Sequence, residues 1–314
     1  MTDKGGPDLS LLRLLPPVLR ARDFRLYTGG GGGDEGRGGG AGKDGGNKAR
    51  GGNRLVDLWQ EGGAAILGHT PPGFLRELKN TAGRGLFTPL PHPLEKRLLR
   101  ALSRLFPRRS FRVYAPGTSL SGLLTAAGLP RPAAVADPAV PRRPGGDGPA
   151  ILSLWRPFPD PAAPLAVPEG GAPILVPVLP GAGWGRPSGP LILALDPAFE
   201  EEHPLPPPDL VSPVTLAVLT RGIYGLIAAA PERGKCPFPK IRAALAGGPW
   251  ERRGIYLSLR EASGPAAWEG LFRRFLAGGF LIPPCSAQPL ILPGVLSLGE
   301  EAKLAGLLAG YPAS

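Results

Sequence analysis

The sequence predicts an α/β domain followed by a smaller α+β unit, and three observations lead to this prediction. The chain has 314 residues, 42% of them hydrophobic, which is enough for one large domain or for a large and a small one. Two apolar runs, residues 173–179 and 190–195, are typical of strands buried on both faces of a parallel sheet. Strand-like and helix-like segments alternate through the middle of the chain, which is the pattern of α/β folds.

The N-terminal segment, residues 1–53, is dominated by a glycine-rich stretch. Strand-like runs are expected at residues 24–27 and 54–59, where apolar and polar residues alternate. Residues 29–53 between them are mostly glycine with charged residues, and such a segment buries too little apolar surface to offset its ordering entropy. We therefore predict a disordered hairpin loop at residues 29–53. No strand–glycine–helix order surrounds it, so a phosphate cradle is not expected there.

Helical spacing of leucines follows the loop. It predicts helices over residues 72–81 and 93–106, the second with a proline near its first turn. A strand is expected at residues 111–114, and a turn leads from it into a helix over residues 120–127.

The centre of the chain is less regular. Residues 128–170 are rich in proline, glycine and alanine and predict little structure beyond a strand at residues 151–155. Residues 204–208 predict a stiff linker. Residues 214–230 are apolar enough for one helix or for a pair of strands, and periodicity does not decide between them.

The C-terminal part alternates strands and helices at residues 254–259, 268–277, 280–282 and 299–308. We place a large domain at residues 54–250 and a small α+β domain at residues 251–314.

Charge and cysteine content narrow the class of protein. The formal net charge is +11, but the basic residues are scattered in pairs, which favours a solvated arginine-rich surface over a nucleic-acid or polyanion binder. Only Cys236 and Cys285 occur, which indicates no disulfide framework and no metal site. Without an uninterrupted apolar run of membrane length, we expect a cytoplasmic protein that does not span a membrane.

Several motifs in order carry a family resemblance. Residues 52–58, 65–69, 93–95 and 111–118 are similar to the opening of the class III pyridoxal-phosphate aminotransferases, most closely the glutamate-1-semialdehyde aminomutase branch. The glycine-rich insert falls at the tip of a hairpin of that family, where insertions are tolerated.

The resemblance continues to the C-terminus. Residues 174–180 and 190–196 resemble two strands of that family, and residues 253–257 and 275–284 resemble its small C-terminal domain. It implies a fold type I pyridoxal-phosphate transferase-like large domain with a central, mostly parallel sheet. It also implies a dimer, with the cofactor pocket at the subunit interface.

Four residues are cofactor-binding candidates by this resemblance. Gly117, Thr118 and Ser119 stand where the family has its phosphate-binding turn, although Pro116 replaces a serine. Asp196 resembles the carboxylate beneath the pyridine ring, which keeps the ring protonated. From the residues alone, an ordinary strand-to-helix turn and a helix cap remain the alternatives.

The lysine that forms the Schiff base is absent from its expected place near Val214 and Thr215. No lysine occurs from residue 97 to residue 234, and arginine, which stays protonated, does not replace it. The chain therefore resembles a shortened, degenerate and catalytically inactive relative, with no catalytic residue and no metal. It would act as a binding or scaffolding subunit, as a homodimer or with a related active chain, and pyridoxal phosphate would be lost or weakly held. One alternative is an aminotransferase or aminomutase that uses a displaced lysine, Lys235 or Lys240.

Overall fold

The computed structural model describes residues 9–29, 53–130, 135–141, 150–168, 171–182, 189–233, 235, 237–261 and 263–311. The strands in these ranges are β1 (Val18–Arg22), β2 (Arg25–Thr28), β3 (Arg54–Asp57), β4 (Ser110–Tyr114), β5 (Leu152–Trp155), β6 (Ile174–Pro177), β7 (Leu191–Leu195), β8 (Trp250–Arg253), β9 (Tyr256–Leu259), β10 (Phe280–Leu281) and β11 (Leu290–Ile291). The helices are α1 (Phe74–Ala82), α2 (Leu94–Leu105), α3 (Leu120–Ala126), α4 (Pro197–Glu202), α5 (Pro213–Arg233), α6 (Pro239–Ala244), α7 (Pro265–Ala277) and α8 (Leu298–Ala309).

The predicted helices α1, α2, α3, α7 and α8 are confirmed, with ends that shift by a few residues. The ambiguous run at residues 214–230 lies within one helix, α5. Sequence reasoning missed β1, β8, β11, α4 and α6, which are too short to show a hydrophobic period.

The sheet of the predicted large domain, called the large sheet, has four strands in the order β4-β7-β6-β5. Strand β7 runs antiparallel to both of its neighbours, and only β5 and β6 pair in parallel. Strands β4, β5 and β6 therefore run in one direction, and only β7, which was expected to be parallel, is reversed. An apolar run marks a strand that is buried on both faces, and it carries no information on direction.

Both faces of this sheet are covered. Leu175 and Ile192 belong to the main hydrophobic core, while Ile174 and Leu193, one position away on the same strands, belong to a second core on the opposite face. Since successive side chains of a strand point to opposite faces, this alternation explains why β6 and β7 are apolar throughout.

A second sheet, with the order β1-β2-β3-β10, joins the two ends of the chain. Strands β2 and β3 form a hairpin that holds the glycine-rich insert, because the amide of Thr28 donates to the carbonyl of Asn53 (3.0 Å). The predicted disorder of residues 29–53 lies almost entirely outside the described residues. The parallel pairing of β3 with β10 brings the N-terminal hairpin to the C-terminal unit.

A third sheet, with the order β11-β9-β8, completes the C-terminal unit. The predicted domain boundary between residues 250 and 251 falls inside β8. The C-terminal unit also includes β1 to β3 through the shared sheet, and such long-range pairing has no signature in the local sequence.

Helix α5 packs against α1 and α2. Among the described residues it is the one helix long and apolar enough to cross a membrane, judged by length and composition alone. Its buried residues, among them Leu219, Ile223 and Leu226, belong to the main core, so the same apolar sequence is what a central core helix needs.

Candidate functional site

The carboxyl ends of β4, β5 and β6 lie at one edge of the large sheet, because these three strands run in the same direction. Ala136 also pairs in parallel with Ser153 of β5, which places Asp137 at this edge. Ligands of open α/β sheets bind outside the carboxyl ends of the strands. This carboxyl edge is therefore the candidate site.

The turn at residues 117–119 follows β4 at the carboxyl edge, where the resemblance implied a phosphate. The carboxylate of Asp209, however, accepts hydrogen bonds from the amide of Ala115 (2.9 Å) and from the Thr118 hydroxyl (3.2 Å). The Ser119 hydroxyl caps α3, accepting from the amide of Gly122 (3.3 Å). Two polar groups at the turn thus already bind the carboxylate of Asp209, an exposed residue of the same chain, which would repel a second anion at this position.

Asp196 lies at the opposite edge of the sheet. It follows β7, which is antiparallel to β4, so it sits beside the start of β4 and not beside the turn at residues 117–119. Its carboxylate caps α4, accepting from the amides of Ala198 (3.0 Å) and Phe199 (3.4 Å). The predicted cofactor contacts are therefore separated by the length of a strand and do not form one site.

The structure instead brings Arg156 and Asp137 together at the carboxyl edge. The guanidinium of Arg156 binds Asp137 through two parallel hydrogen bonds, Nε to Oδ1 (2.8 Å) and Nη2 to Oδ2 (2.7 Å). Burial alone would lower the pKa of Arg156, but the charge of Asp137 and its hydrogen bonds outweigh this and raise it. Arg156 is 2% exposed, so the pair is a buried two-point ion pair.

Tyr256 of β9 packs against this pair. Its ring lies 5.5 Å from the Arg156 guanidinium carbon, and its hydroxyl donates to the carbonyl of Pro157 (2.6 Å). Burial raises the pKa of the Tyr256 hydroxyl, so it remains protonated and acts only as a donor here. Sequence reasoning missed this cluster, since its members are far apart in the chain and follow no recognisable spacing.

The remaining predicted features lie elsewhere or are engaged in the core. Trp155, the aromatic residue that ends β5, is 2% exposed and donates from Nε1 to the carbonyl of Ala166 (2.9 Å). Its ring packs edge-on against Phe106. Val214 and Thr215, where the resemblance places the lysine, lie in the first turn of α5.

The lysines suggested as displaced nucleophiles do not reach the carboxyl edge within the described structure. Lys235 pairs with Glu232 (2.7 Å), and the side chain of Lys240 lies near the carbonyl of Leu298 at the start of α8 (3.5 Å). The part of the chain that the structure describes contains no group of three or more metal-ligating side chains.

Among the described residues, the donor set of the carboxyl edge does not fit pyridoxal phosphate. The cofactor needs an amine for the Schiff base, a free carboxylate near the pyridine nitrogen and amides for the phosphate. This edge offers a guanidinium, a carboxylate bound to that guanidinium and a turn bound to Asp209.

Comparisons of the sequence with known proteins give one partial match. No protein-family profile matches the chain. An uncharacterized protein of Treponema pallidum (strain Nichols) is 29% identical over 158 residues, which are 48% of this chain and 44% of that protein. This chain therefore matches less than half of the length of that relative.

Solved structures of three enzymes cover nearly the whole chain. Plasmodium falciparum ornithine δ-aminotransferase superposes with a TM-score of 0.60 at 9% identity, over 93% of this chain and 91% of that one. The glutamate-1-semialdehyde aminomutase of Pseudomonas aeruginosa gives 0.61 at 12%, over 93% and 86%. An ω-transaminase of Sphaerobacter thermophilus gives 0.58 at 13%, over 94% and 90%. The chain thus has the α/β fold of the pyridoxal-phosphate-dependent aminotransferases, as the sequence resemblance implied.

Proposed function

We propose that this chain is a shortened, catalytically inactive relative of the class III aminotransferases that acts as a binding or scaffolding subunit. The observation that carries the proposal is the absence of any lysine from residue 97 to residue 234. The buried pair of Arg156 and Asp137 at the carboxyl edge supports it.

The chemical reason is specific. Transamination proceeds through a covalent bond between a lysine amine and the cofactor aldehyde, and this amine must lose its proton to react. A guanidinium keeps its proton at every physiological pH, so Arg156 cannot take over the role. Lys235 is engaged with Glu232 on the surface, which is no place for a cofactor that must be shielded from water.

A subunit role requires a surface for a partner. Three large apolar side chains are exposed in α1 and in the loop between α1 and α2: Leu75, Phe87 and Leu90, with exposed fractions of 53%, 61% and 57%. Exposed apolar side chains that form one patch favour a protein contact, and we propose that these three form such a patch. We propose a cytoplasmic homodimer, or a heterodimer with a related active chain, and not a complex with nucleic acid.

The experiment for the inactive-relative proposal is an absorbance spectrum of the purified protein with pyridoxal phosphate, before and after borohydride. We expect the spectrum of free cofactor and no covalent label. A visible band that borohydride fixes to the protein would reject the proposal. Peptide mapping, with Lys235→Met and Lys240→Met as matched variants, would then identify the displaced lysine.

The oligomer proposal has its own measurement, the mass of the native protein by light scattering. A dimer mass that becomes a monomer mass in Phe87→Glu would support the α1–α2 loop as the contact. A monomer at every concentration, alone and mixed with an active aminotransferase of this fold, would reject it.

A further inference from the structure

We infer that the tip of the β8–β9 hairpin covers the carboxyl end of β5, and that the described residues leave no space for a pyridine ring at the ends of β5 and β6. This goes beyond the loss of the lysine, because a pocket without lysine would still hold pyridoxamine phosphate, which is already an amine. The inference rests on the proposed function only in taking the carboxyl edge as the place for a cofactor.

Three hydrogen bonds hold the hairpin tip against the segment that follows β5 and against the segment that follows Asp137. Tyr256 donates from its hydroxyl to Pro157 O (2.6 Å), and the amide of Ile255 donates to Phe158 O (3.3 Å). Arg253 donates from Nη1 to Pro138 O (3.0 Å), one residue after the Asp137 that binds Arg156. The tip thus bonds to two of the chain segments at this edge, the one after β5 and the one after Asp137.

The closest approach is made by Gly254, at the turn of the hairpin. Its φ is +57°, and a Cβ atom added there would lie 1.9 Å from Phe158 O and 2.8 Å from the carbonyl carbon of Pro159. Both neighbours are backbone, which cannot rotate away as a side chain can. Gly254 is therefore required for the contact itself as well as for the turn.

The residues beneath the tip are fully packed. Phe158 is 0% exposed and adopts a positive φ of 65°, a conformation that costs free energy in a non-glycine residue. Its strain persists because the hairpin tip and the Arg156–Asp137 pair fix the segment on both sides. A flat aromatic ligand at the end of β5 would have to displace the side chain of Phe158 or that of Tyr256.

The end of β6 is closed in the same way. Val178 and Leu179, which continue from β6, are both 0% exposed. A Cβ at Gly63, in the turn after β3, would lie 2.4 Å from Val178 Cγ1, and one at Gly222 of α5 would lie 2.8 Å from Pro180 O. At the ends of β5 and β6, described protein groups therefore occupy the places that a ligand would take, and this part of the edge joins the large sheet to the C-terminal unit.

The test is titration calorimetry of the full chain with pyridoxamine phosphate, with inorganic phosphate as the matched control. We expect no saturable heat up to about 1 mM, or the same weak heat for both compounds. Saturable binding of pyridoxamine phosphate that is tenfold or more tighter than that of phosphate would overturn the inference, since the ring would then have a site. That outcome leaves the proposed function intact, whereas a borohydride-fixed band rejects the proposed function.

Two variants test the closing contact directly by amide hydrogen exchange of the peptide that contains residues 255–257. Gly254→Ala should raise its exchange rate strongly, while the control Gly247→Ala should leave it unchanged. Gly247 has a similar φ of +71°, and nothing lies within 4 Å of a Cβ added to it. Tyr256→Phe, which removes only a hydroxyl, should raise the rate about five- to tenfold and covers the case in which Gly254→Ala does not fold. Wild-type exchange in Tyr256→Phe would overturn the inference.

Discussion

The imidazole of His69 lies 2.9 Å from the carboxylate of Asp57, with Nε2 facing Oδ2. Asp57 is 1% exposed, and its other oxygen accepts hydrogen bonds from the amides of Trp59 (2.9 Å) and Gln60 (2.8 Å). The pair therefore fixes the turn after β3, at which Gln60 and Glu61 both adopt positive φ values. The pair therefore has a structural role, because Asp57 binds the amides of the turn and His69 binds Asp57.

His69→Gln should remove a pH-dependent part of the stability. Burial by itself would lower the pKa of His69, but the hydrogen bond and the charge of Asp57 outweigh it and raise the pKa above 6.5. A pKa raised in the folded state adds stability that is fully present below about pH 6.5 and lost as the pH rises through the folded value. We expect a loss of about 1–3 kcal/mol at pH 5.5 that shrinks by pH 8.5, measured by urea unfolding.

Asp57→Asn is the matched control for this prediction. It keeps an acceptor for the two amides but removes the charge that favours the protonated imidazole. In the Asp57→Asn background, burial lowers the pKa of His69, so the cost of His69→Gln should no longer be larger at pH 5.5 than at pH 8.5. An equal dependence in both backgrounds would show that another group is responsible.

Glu300→Gln should lower stability at neutral pH and have a smaller effect in acid. Burial would raise the pKa of Glu300, but hydrogen bonds from Arg25 and from the backbone of Ser297 outweigh it and lower the pKa to about 2. A lowered pKa contributes stability above the unfolded value of 4.5, and this is lost as the pH falls towards 2. The carboxylate also accepts from Arg54 (3.0 Å), so it attaches the β2–β3 hairpin to α8.

Unfolding by urea at pH 7 and pH 3 measures the effect of Glu300→Gln, for which we expect a loss of about 1–3 kcal/mol at pH 7. Glu269→Gln is the control, because Glu269 pairs with Arg273 on an exposed helix face, and such pairs contribute about 0.5 kcal/mol or less. Equal losses of stability in both variants would mean that the ion pairs of Glu300 contribute no more than an ordinary surface pair.

The sequence predicted the elements well where a long hydrophobic period was present. The leucine spacing of α2 and the alternation in β3 are local properties, and the structure places both as expected. The family resemblance also led to the correct fold, because the order of several short motifs reflects the order of elements. Strand direction was wrong for β7, since it depends on connections between distant segments and not on the residues within the strand.

The candidate site was harder to predict for the same reason. Asp196 looked like a ligand because it ends an apolar strand, but an aspartate in that position is equally suited to cap the helix that follows. The pair of Arg156 and Asp137 lies within residues 128–170, where proline and alanine give no period. Only the tertiary structure brings these two residues to Tyr256, which is far from both of them in the chain.

Asp196→Ala should destabilise the protein by about 1 kcal/mol, because the amides of Ala198 and Phe199 lose their capping acceptor. Asp196→Ser is the control, since a serine hydroxyl can cap the same amides, and it should lose at most about 0.3 kcal/mol. Urea unfolding measures both variants. A serine variant as unstable as the alanine variant would indicate that the charge matters, for example through the nearby Arg109.

Gly63→Ala should be among the more damaging single substitutions in this chain. Gly63 has a φ of +107°, and an added Cβ would lie 2.4 Å from Cγ1 of Val178, a fully buried side chain at the end of β6. Both the backbone strain and the overpacking act against folding, and together we expect a loss of about 2–4 kcal/mol in urea unfolding.

Gly85→Ala measures the backbone strain without the overpacking. Gly85 also has a positive φ, +72°, but nothing lies within 4 Å of its added Cβ, so only the strain of about 1 kcal/mol should remain. The second control is Val178→Ala, which removes Cγ1. If the clash is real, Gly63→Ala should cost less in the Val178→Ala background than in wild type, and the coupling free energy should be about 1 kcal/mol or more. Strictly additive losses would mean that the turn after β3 moves away from β6, and the edge of the sheet would then be less closely packed than the contacts of Val178 indicate.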